Sequence, residues 1–239
     1  MGAQWKAASK SDAAARRGAV FSKLAKEIAV AAKLGDPNPD ANPRLRAAVE
    51  AAKKQSMPRD TIERNIKKGA GLLDEAMNFE TVLYEGFAPH KVPVIVECLT
   101  DNKNRTAADV RVLFRKAQLG SAGSVAWMFD RLALVEAHAP GAKDIEEAAI
   151  EAGAQNVEPL DKGEHPEGST GARFLGEPTD LAVISQWLSK NGWTVTTAEI
   201  SFLAKNGVDL TPDQRKEVEE FLGAVDDHDD VHRIYTAIT

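Results

Sequence analysis

A set of cationic side chains, Arg16, Lys23, Lys26, Lys33, Arg59, Arg64, Lys67, Lys68 and Arg105, recurs at helical spacings in the amino-terminal part of the chain. The chemistry open to such a set is neutralisation of phosphate, because each Lys or Arg that meets a nucleic-acid backbone releases a condensed counterion. Other constellations give no support to catalysis. His228-Asp-Asp-Val-His232 imitates the two-histidine helix of zinc hydrolases, but Asp229 stands where that chemistry needs a glutamate base, and the last predicted helix has already ended there. Gly120 and Gly123 are not followed by a P-loop lysine, and no Ser/His/Asp order with nucleophile-elbow glycines is present. The single cysteine, Cys98, excludes an intrachain disulfide and a multi-cysteine zinc site, and its run Val92-Pro-Val-Ile-Val-Glu-Cys-Leu99 predicts a buried structural thiol. The expectation is a non-enzymatic protein with no catalytic residues, no metal and no cofactor.

Charge is segregated along the chain. Met1 to Leu72 holds fifteen Lys/Arg against seven Asp/Glu, a net +8, whereas the remainder holds fifteen against twenty-nine, a net −14, so the overall −6 hides a polycation. A segregated basic region is the electrostatic footprint of a phosphate-binding protein. Among the 239 residues no stretch approaches the roughly 20 apolar residues of a bilayer span, so no membrane partner is expected. The start Met1-Gly-Ala-Gln-Trp-Lys6 lacks the pattern of a secretory signal, and with one cysteine the expected compartment is a reducing cytoplasm.

The elements that must position these cations are helices. From about Asp12 to Lys33, Val20, Phe21, Leu24, Ile28 and Ala31 share one arc, and Arg16, Lys23, Lys26 and Lys33 another. Asn42-Pro43 supplies a cap and first-turn proline for a second helix to about Gln55. Pro58 opens a third, closed near Gly69, on which Ile62 and Ile66 oppose Arg64, Lys67 and Lys68. After Gly69-Ala-Gly71 the pattern changes: strand Val92–Leu99, helix Thr106–Lys116 and strand Ser124–Asp130 are predicted. There follow strand Leu132–Glu136, helix Asp144–Ala152, strands Val157–Leu160 and Ala172–Gly176, helix Thr179–Lys190 and strand Trp193–Thr197, the β-α-β-β-α-β order of a ferredoxin-like unit. A segment near Ile200–Leu203, a helix from Pro212 capped by Thr211 and a strand Val231–Ile238 end the chain. The fold class is therefore α+β: an all-helical amino-terminal domain (1–75), a discontinuous ferredoxin-like middle domain (76–130 plus 199–239), and a second ferredoxin-like domain (131–198) inserted into it.

Five collinear motifs, Ala41-Asn-Pro-Arg-Leu-Arg46, Met57-Pro-Arg-Asp-Thr-Ile-Glu-Arg-Asn-Ile-Lys-Lys-Gly69, Tyr84-Glu-Gly86, Glu97-Cys-Leu-Thr-Asp-Asn-Lys-Asn-Arg-Thr106 and Gly123-Ser-Val-Ala-Trp-Met-Phe-Asp-Arg131, resemble the YebC/PmpR family. Its mitochondrial branch comprises the translational activators of cytochrome c oxidase subunit I. The resemblance implies three domains, one helical and two mixed. It also implies a gene-expression role, either as a transcriptional regulator on promoter DNA or as a ribosome-associated factor that meets ribosomal RNA and relieves stalled translation. The chain departs from the family's Gly-His-Ser-Lys-Trp start with Gly2-Ala-Gln-Trp5, from Tyr-Glu-Gly-Tyr-Gly-Pro with Tyr84-Glu-Gly-Phe-Ala-Pro89, and from a Gly-Gly loop with Ala117-Gln-Leu-Gly-Ser-Ala-Gly123.

Two readings remain open at two sites. Thr100-Asp-Asn-Lys-Asn-Arg-Thr106 joins strand to helix, and either grips a phosphate or caps the helix. Trp5, beside Lys6 and Lys10, either stacks on a base or tucks against the first helix. Charge alone does not separate DNA from RNA, since phosphate contacts position a protein on both. A protein-interaction scaffold presenting a ferredoxin-like sheet face is a third function class, and the oligomeric state is left open.

Overall fold

The computed structural model describes residues 13–73 and 79–238. It is mixed α+β, and its two compact units are made from interleaved stretches of chain. One unit takes the chain up to Val30, then Gly71–Asp130 and Leu203–Thr239; the other takes Ala31–Ala70 and Arg131–Phe202. The first helix, α1 (Ala13–Leu34), therefore serves both, while α2 (Pro43–Lys54) and α3 (Arg59–Gly69) belong to the second unit alone.

The first unit is built on β1 (Glu80–Ala88), β2 (Val92–Thr100), β3 (Gln118–Leu119) and β8 (Val231–Thr236), in the antiparallel order β3-β1-β2-β8. Every residue of β2 is buried, as expected of a Val/Ile-rich central strand covered on both faces. Its Val92, Val94, Val96 and Cys98 pack with α4 (Lys103–Leu113) and α7 (Pro212–Asp226), where Phe114 and Phe221 meet edge to face at 5.1 Å. Burial, with the Asp230 and Glu97 charges, pushes the Cys98 thiol up to about 12, so it behaves as a small apolar side chain.

The second unit holds β4 (Phe129–Pro140), α5 (Ile145–Ala152), β5 (Asn156–Pro159), β6 (Ser169–Gly176), α6 (Leu181–Lys190) and β7 (Thr194–Ala204). Its strand order, β5-β6-β4-β7, is that of a ferredoxin-like sheet, and Phe174 against Trp193 at 5.3 Å anchors its core. The first sheet reaches an equivalent order by another path, because β1 precedes β2 in the chain instead of following β3.

Several elements differ from the sequence-based expectation. Strand β1 was not predicted: its exposed and buried positions do not alternate cleanly. The predicted strand Ser124–Asp130 is a turn until Phe129, because the Glu85 carboxylate collects the backbone N–H groups of Gly123 (2.7 Å), Val125 (2.9 Å) and Ala126 (2.8 Å). Those three bonds outweigh burial and hold the Glu85 carboxyl below its ordinary range. Helix α4 begins at Lys103, not Thr106, since Asn102 accepts the Arg105 N–H and caps it one turn earlier.

The first unit closes around Asp230, whose side chain is 4% exposed. It takes Lys26 Nζ of α1 at 2.8 Å, Arg105 Nη2 of α4 at 2.9 Å and the Thr106 hydroxyl at 2.9 Å. The Thr100 hydroxyl lies 2.7 Å from Thr106 Oγ1 and can donate back to it, which leaves the Thr106 proton for the carboxylate. Burial alone would raise the acid, but these bonds overcome it and hold Asp230 at about 2. The carboxylate's contribution is present above the ordinary aspartate pKa and is lost as pH falls towards 2. Asp230→Asn is expected to destabilise the protein by roughly 2 kcal/mol at pH 7. Urea titrations at pH 7 and pH 3 check this, the gap to wild type narrowing at the lower pH.

Candidate nucleic-acid interface

The α2–α3 hairpin is built from local signals. Asn42 caps α2 by accepting the Leu45 N–H at 3.0 Å, and its amide donates to Ala31 and Asp36 carbonyls at 2.9 Å each. Arg46 braces the preceding loop through the Pro39 and Asp40 carbonyls and reaches Ser189 of α6 at 3.3 Å. At the far end, Ser56 N–H bonds to Lys53 O (2.8 Å) and Met57 N–H to Ala52 O (2.9 Å), with Ser56 left-handed at φ 61° and Met57 buried. This is a Schellman closure with a serine where glycine is usual. Pro58 then opens α3, which buries Ile62 and Gly69. Arg59, Arg64 and Lys67 are exposed on its other side, and Lys68 is partly so. Lys67 and Lys68 lie in the last turn, where the helix dipole favours cations. Arg59 pairs with Glu63 at 2.8 Å, but with its side chain 90% exposed the pair is a surface contact that phosphate can displace.

The predicted cations divide into two groups. Lys33, Arg59, Arg64, Lys67 and Lys68 lie in the second unit, and Lys23, Lys26 and Arg105 in the first. The expectation that Lys23 and Lys26 stand on an open face is corrected by their partners. Lys23 Nζ lies 3.3 Å from Asp226 Oδ1 and also bonds the Asp226 carbonyl; Lys26 reaches Asp230 and the Asp229 carbonyl, each at 2.8 Å. Both lysine side chains are under a fifth exposed. Arg105 is half exposed but divided between Asp101 (3.0 Å) and Asp230 (2.9 Å). The acidic Asp226–Asp230 segment, just over two hundred residues downstream of these lysines, supplies carboxylates that the local pattern of α1 does not announce. Arg16 lies outside the residues whose side chains are described, as do Trp5, Lys6 and Lys10.

The motifs now separate by what folding uses. Asn42 and Arg46 hold the α2 root, Glu85 pins the 123–126 turn, and Thr100, Asn102, Arg105 and Thr106 serve the α4 cap and Asp230. The two histidines face partners within the first unit: His228 Nδ1 accepts the Asp230 N–H at 3.1 Å and its Nε2 faces Asp109 at 3.3 Å, while His232 Nε2 lies 3.0 Å from Glu27. No group of three or more metal-ligating side chains is found among the described residues. The fourth motif exposes Lys103, paired with Glu80 at 2.7 Å, and Arg105; the third exposes Arg59, Arg64 and Lys67. Lys53 and Lys54, at the end of α2, extend that set and were missed because they read as an ordinary basic helix terminus. Burial first, then the Lys54 and His165 charges, push His138 below its ordinary pKa.

On the central strands of the ferredoxin-like sheet Glu136 pairs with Arg173 at 2.7 Å, where base recognition on a sheet uses aromatic rings.

Comparison with known proteins agrees with this architecture. Residues 2–72 match the TACO1/YebC protein N-terminal domain, and residues 79–238 match the TACO1/YebC second and third domain. A "Probable transcriptional regulatory protein" of Pseudomonas syringae pv. tomato is 56% identical over 100% of this chain and 99% of its own length. "Probable transcriptional regulatory protein Bd1964" of Bdellovibrio bacteriovorus is 51% identical over the whole of both. A crystal structure of a conserved hypothetical protein, Aq1575 from Aquifex aeolicus, superposes with a TM-score of 0.76 at 38% identity, covering 99% of this chain and 96% of that one.

The left-handed serine gives a test of the hairpin. Ser56→Gly removes the strain at φ 61° and is expected to add about 0.5–1 kcal/mol, raising Tm by a few degrees in thermal unfolding.

Proposed function

The chain belongs to the TACO1/YebC family, whose relatives carry a regulator's name, and from that premise we propose that it is a non-enzymatic, nucleic-acid-binding regulator of gene expression. The observation that carries the reading is the surface of α3, which keeps Arg59, Arg64 and Lys67 exposed beside partly exposed Lys68 on one short helix. Phosphate is the ligand such a surface fits. Lys33, Lys53 and Lys54 belong to the same unit and add to its positive field. Lys23, Lys26 and Arg105 serve mainly to dock α1 and α4. The three-domain division at 1–75, 76–130 with 199–239, and 131–198 is part of the proposal, as is a cytoplasmic location.

The target proposed first is duplex DNA at promoters, in line with the relatives' printed names. A second reading, binding to ribosomal RNA as a translation factor, is favoured by the −14 carried after Leu72, which suits solvent or ribosomal protein better than a long duplex. No helix of the described residues is long and apolar enough to cross a membrane.

Fluorescence anisotropy against promoter duplexes and ribosomal RNA fragments tests the surface. The triple change Arg64→Glu, Lys67→Glu, Lys68→Glu is expected to weaken binding at least about tenfold and to flatten the log K against log salt slope by about 2 to 3. Lys23→Gln with Lys26→Gln is expected to lower Tm while leaving affinity within about twofold. The opposite pattern would transfer the interface to α1. Crosslinking in cells, with sequencing of bound DNA and RNA together, decides between promoter and ribosome.

A further inference from the structure

Two histidines of the second unit stand side by side on one face of its sheet. Val135, Ala137 and Ala139 of β4 turn into the core, so the alternation of a strand puts Glu136 and His138 on the other face. His138 is registered directly opposite Gly171 of β6, a pairing that sets Cβ positions about 4.5–5.5 Å apart. At Gly171 that position is already filled by a ring, since a Cβ there would lie 2.5 Å from His165 Cδ2. The His165 imidazole is thus the cross-strand neighbour of His138, and the glycine admits it.

Both charges that act on His138 are cationic, Lys54 of α2 and His165. The carboxylates of this region are engaged elsewhere. Glu136 holds Arg173 at 2.7 Å and accepts from the Thr197 hydroxyl at 3.0 Å, Glu158 lies 3.6 Å from Arg173, and Glu164 accepts the Asp161 N–H at 3.0 Å. Hydrogen bonding also fixes the His165 tautomer. Its Nδ1 lies 3.2 Å from the Pro166 carbonyl and 3.1 Å from Ser169 Oγ, whose own proton goes to that carbonyl, so Nδ1 carries the hydrogen. Nε2 then holds a lone pair in the neutral ring and donates only when the ring is protonated. A protonated lysine has no lone pair for a metal ion and repels one, so the three groups together fit an anion that brings protons with it. Exposed Lys54 closes α2 just before the Ser56–Met57 turn from which α3 starts at Arg59, which places the cluster beside the cationic helix surface of the same unit.

We propose that Lys54, His138 and His165 form a proton-linked site for a backbone phosphate of the bound nucleic acid, so that binding tightens as pH falls through the imidazole range. This rests on the nucleic-acid reading and adds a pH-sensitive contact to it. Fluorescence anisotropy of the full chain with a short DNA duplex, at fixed ionic strength, tests it. Binding is expected to be at least about fivefold tighter at pH 5.5 than at pH 7.5. His138→Gln and His165→Gln should each at least halve that ratio, and Lys54→Gln should flatten the log K against log salt slope by about 1. The α3 triple change should weaken binding at both pH values and leave the ratio intact. In unsubstituted protein, the imidazole proton NMR titrations of His138 and His165 should move to higher pH when the duplex is added, while those of His90, His228 and His232 stay, which keeps the test decisive if a variant folds poorly. Histidine variants with the full pH ratio, or unmoved titrations of His138 and His165 with the duplex bound, would overturn the proposal. So would saturable Zn²⁺ binding lost in His138→Gln and kept in Lys54→Gln, which makes the pair a metal site. If the duplex binds at neither pH, the nucleic-acid reading fails; inorganic phosphate that still moves both titrations then keeps the site for free phosphate, and phosphate that moves neither removes it.

Discussion

The first unit depends on a single buried carboxylate. Asp230 gathers a lysine from α1, an arginine and a threonine from α4, and through that threonine the end of β2. A carboxylate at 4% exposure is sustainable only when its oxygens are occupied by strong donors, and here two of the three are cationic. Around it lies a second charged layer: Glu27 of α1 faces His232 and Arg233 of β8, and Arg233 and Tyr235 both reach Glu97 of β2 at 3.3 Å. The amino-terminal helix is thus docked on the sheet as much by paired charge as by apolar packing. Such docking is specific in register, because a shift by one turn would leave buried charges unpaired.

This arrangement changes what the split charge of the chain means. A net +8 before residue 72 and −14 after it invites the picture of a basic arm and acidic bodies. Part of that contrast is instead cancelled internally, Lys23 against Asp226 and Lys26 against Asp230. Charge segregation in sequence is therefore evidence for two things at once, ligand binding and long-range docking, and only geometry divides the cations between them. Arg59, Arg64 and Lys67 of α3 stay exposed, their helix burying Ile62 and Gly69.

Legibility followed the range of the interactions. The helices α2, α3, α5, α6 and α7 were readable because their caps and periodicities are local: Asn42-Pro43, Pro58, Asp144 and the Thr211–Gln214 capping box sit within a turn of what they stabilise. The ferredoxin-like order was readable for the same reason, each element being bounded by its own turn residues. What was hidden is non-local. The Glu85 carboxylate bends a segment forty residues away that has the composition of a strand, and Asp230 reaches back two hundred residues to α1. For the candidate site, the α3 cations were legible as a face, whereas the partners of Lys23, Lys26 and Arg105 were not, since no pattern within α1 or α4 marks a carboxylate elsewhere in the chain.

The same distinction bears on how motifs are read. Thr100-Asp-Asn-Lys-Asn-Arg-Thr106 has the composition of an anion-binding junction, yet its Asn102 caps α4, its Arg105 pairs with two aspartates and its threonines feed Asp230. Tyr84-Glu-Gly86 lies in a strand whose glutamate organises another loop, with Gly86 required because a side chain there would lie 2.4 Å from the Gln118 carbonyl oxygen. In both, polar side chains that could have met a ligand are occupied by the fold. A functional surface is then best sought in what such occupation leaves over. A lysine already held by a buried carboxylate, as Lys26 is by Asp230, must break that contact before it can meet phosphate, whereas an exposed cation surrenders only water or a surface ion pair.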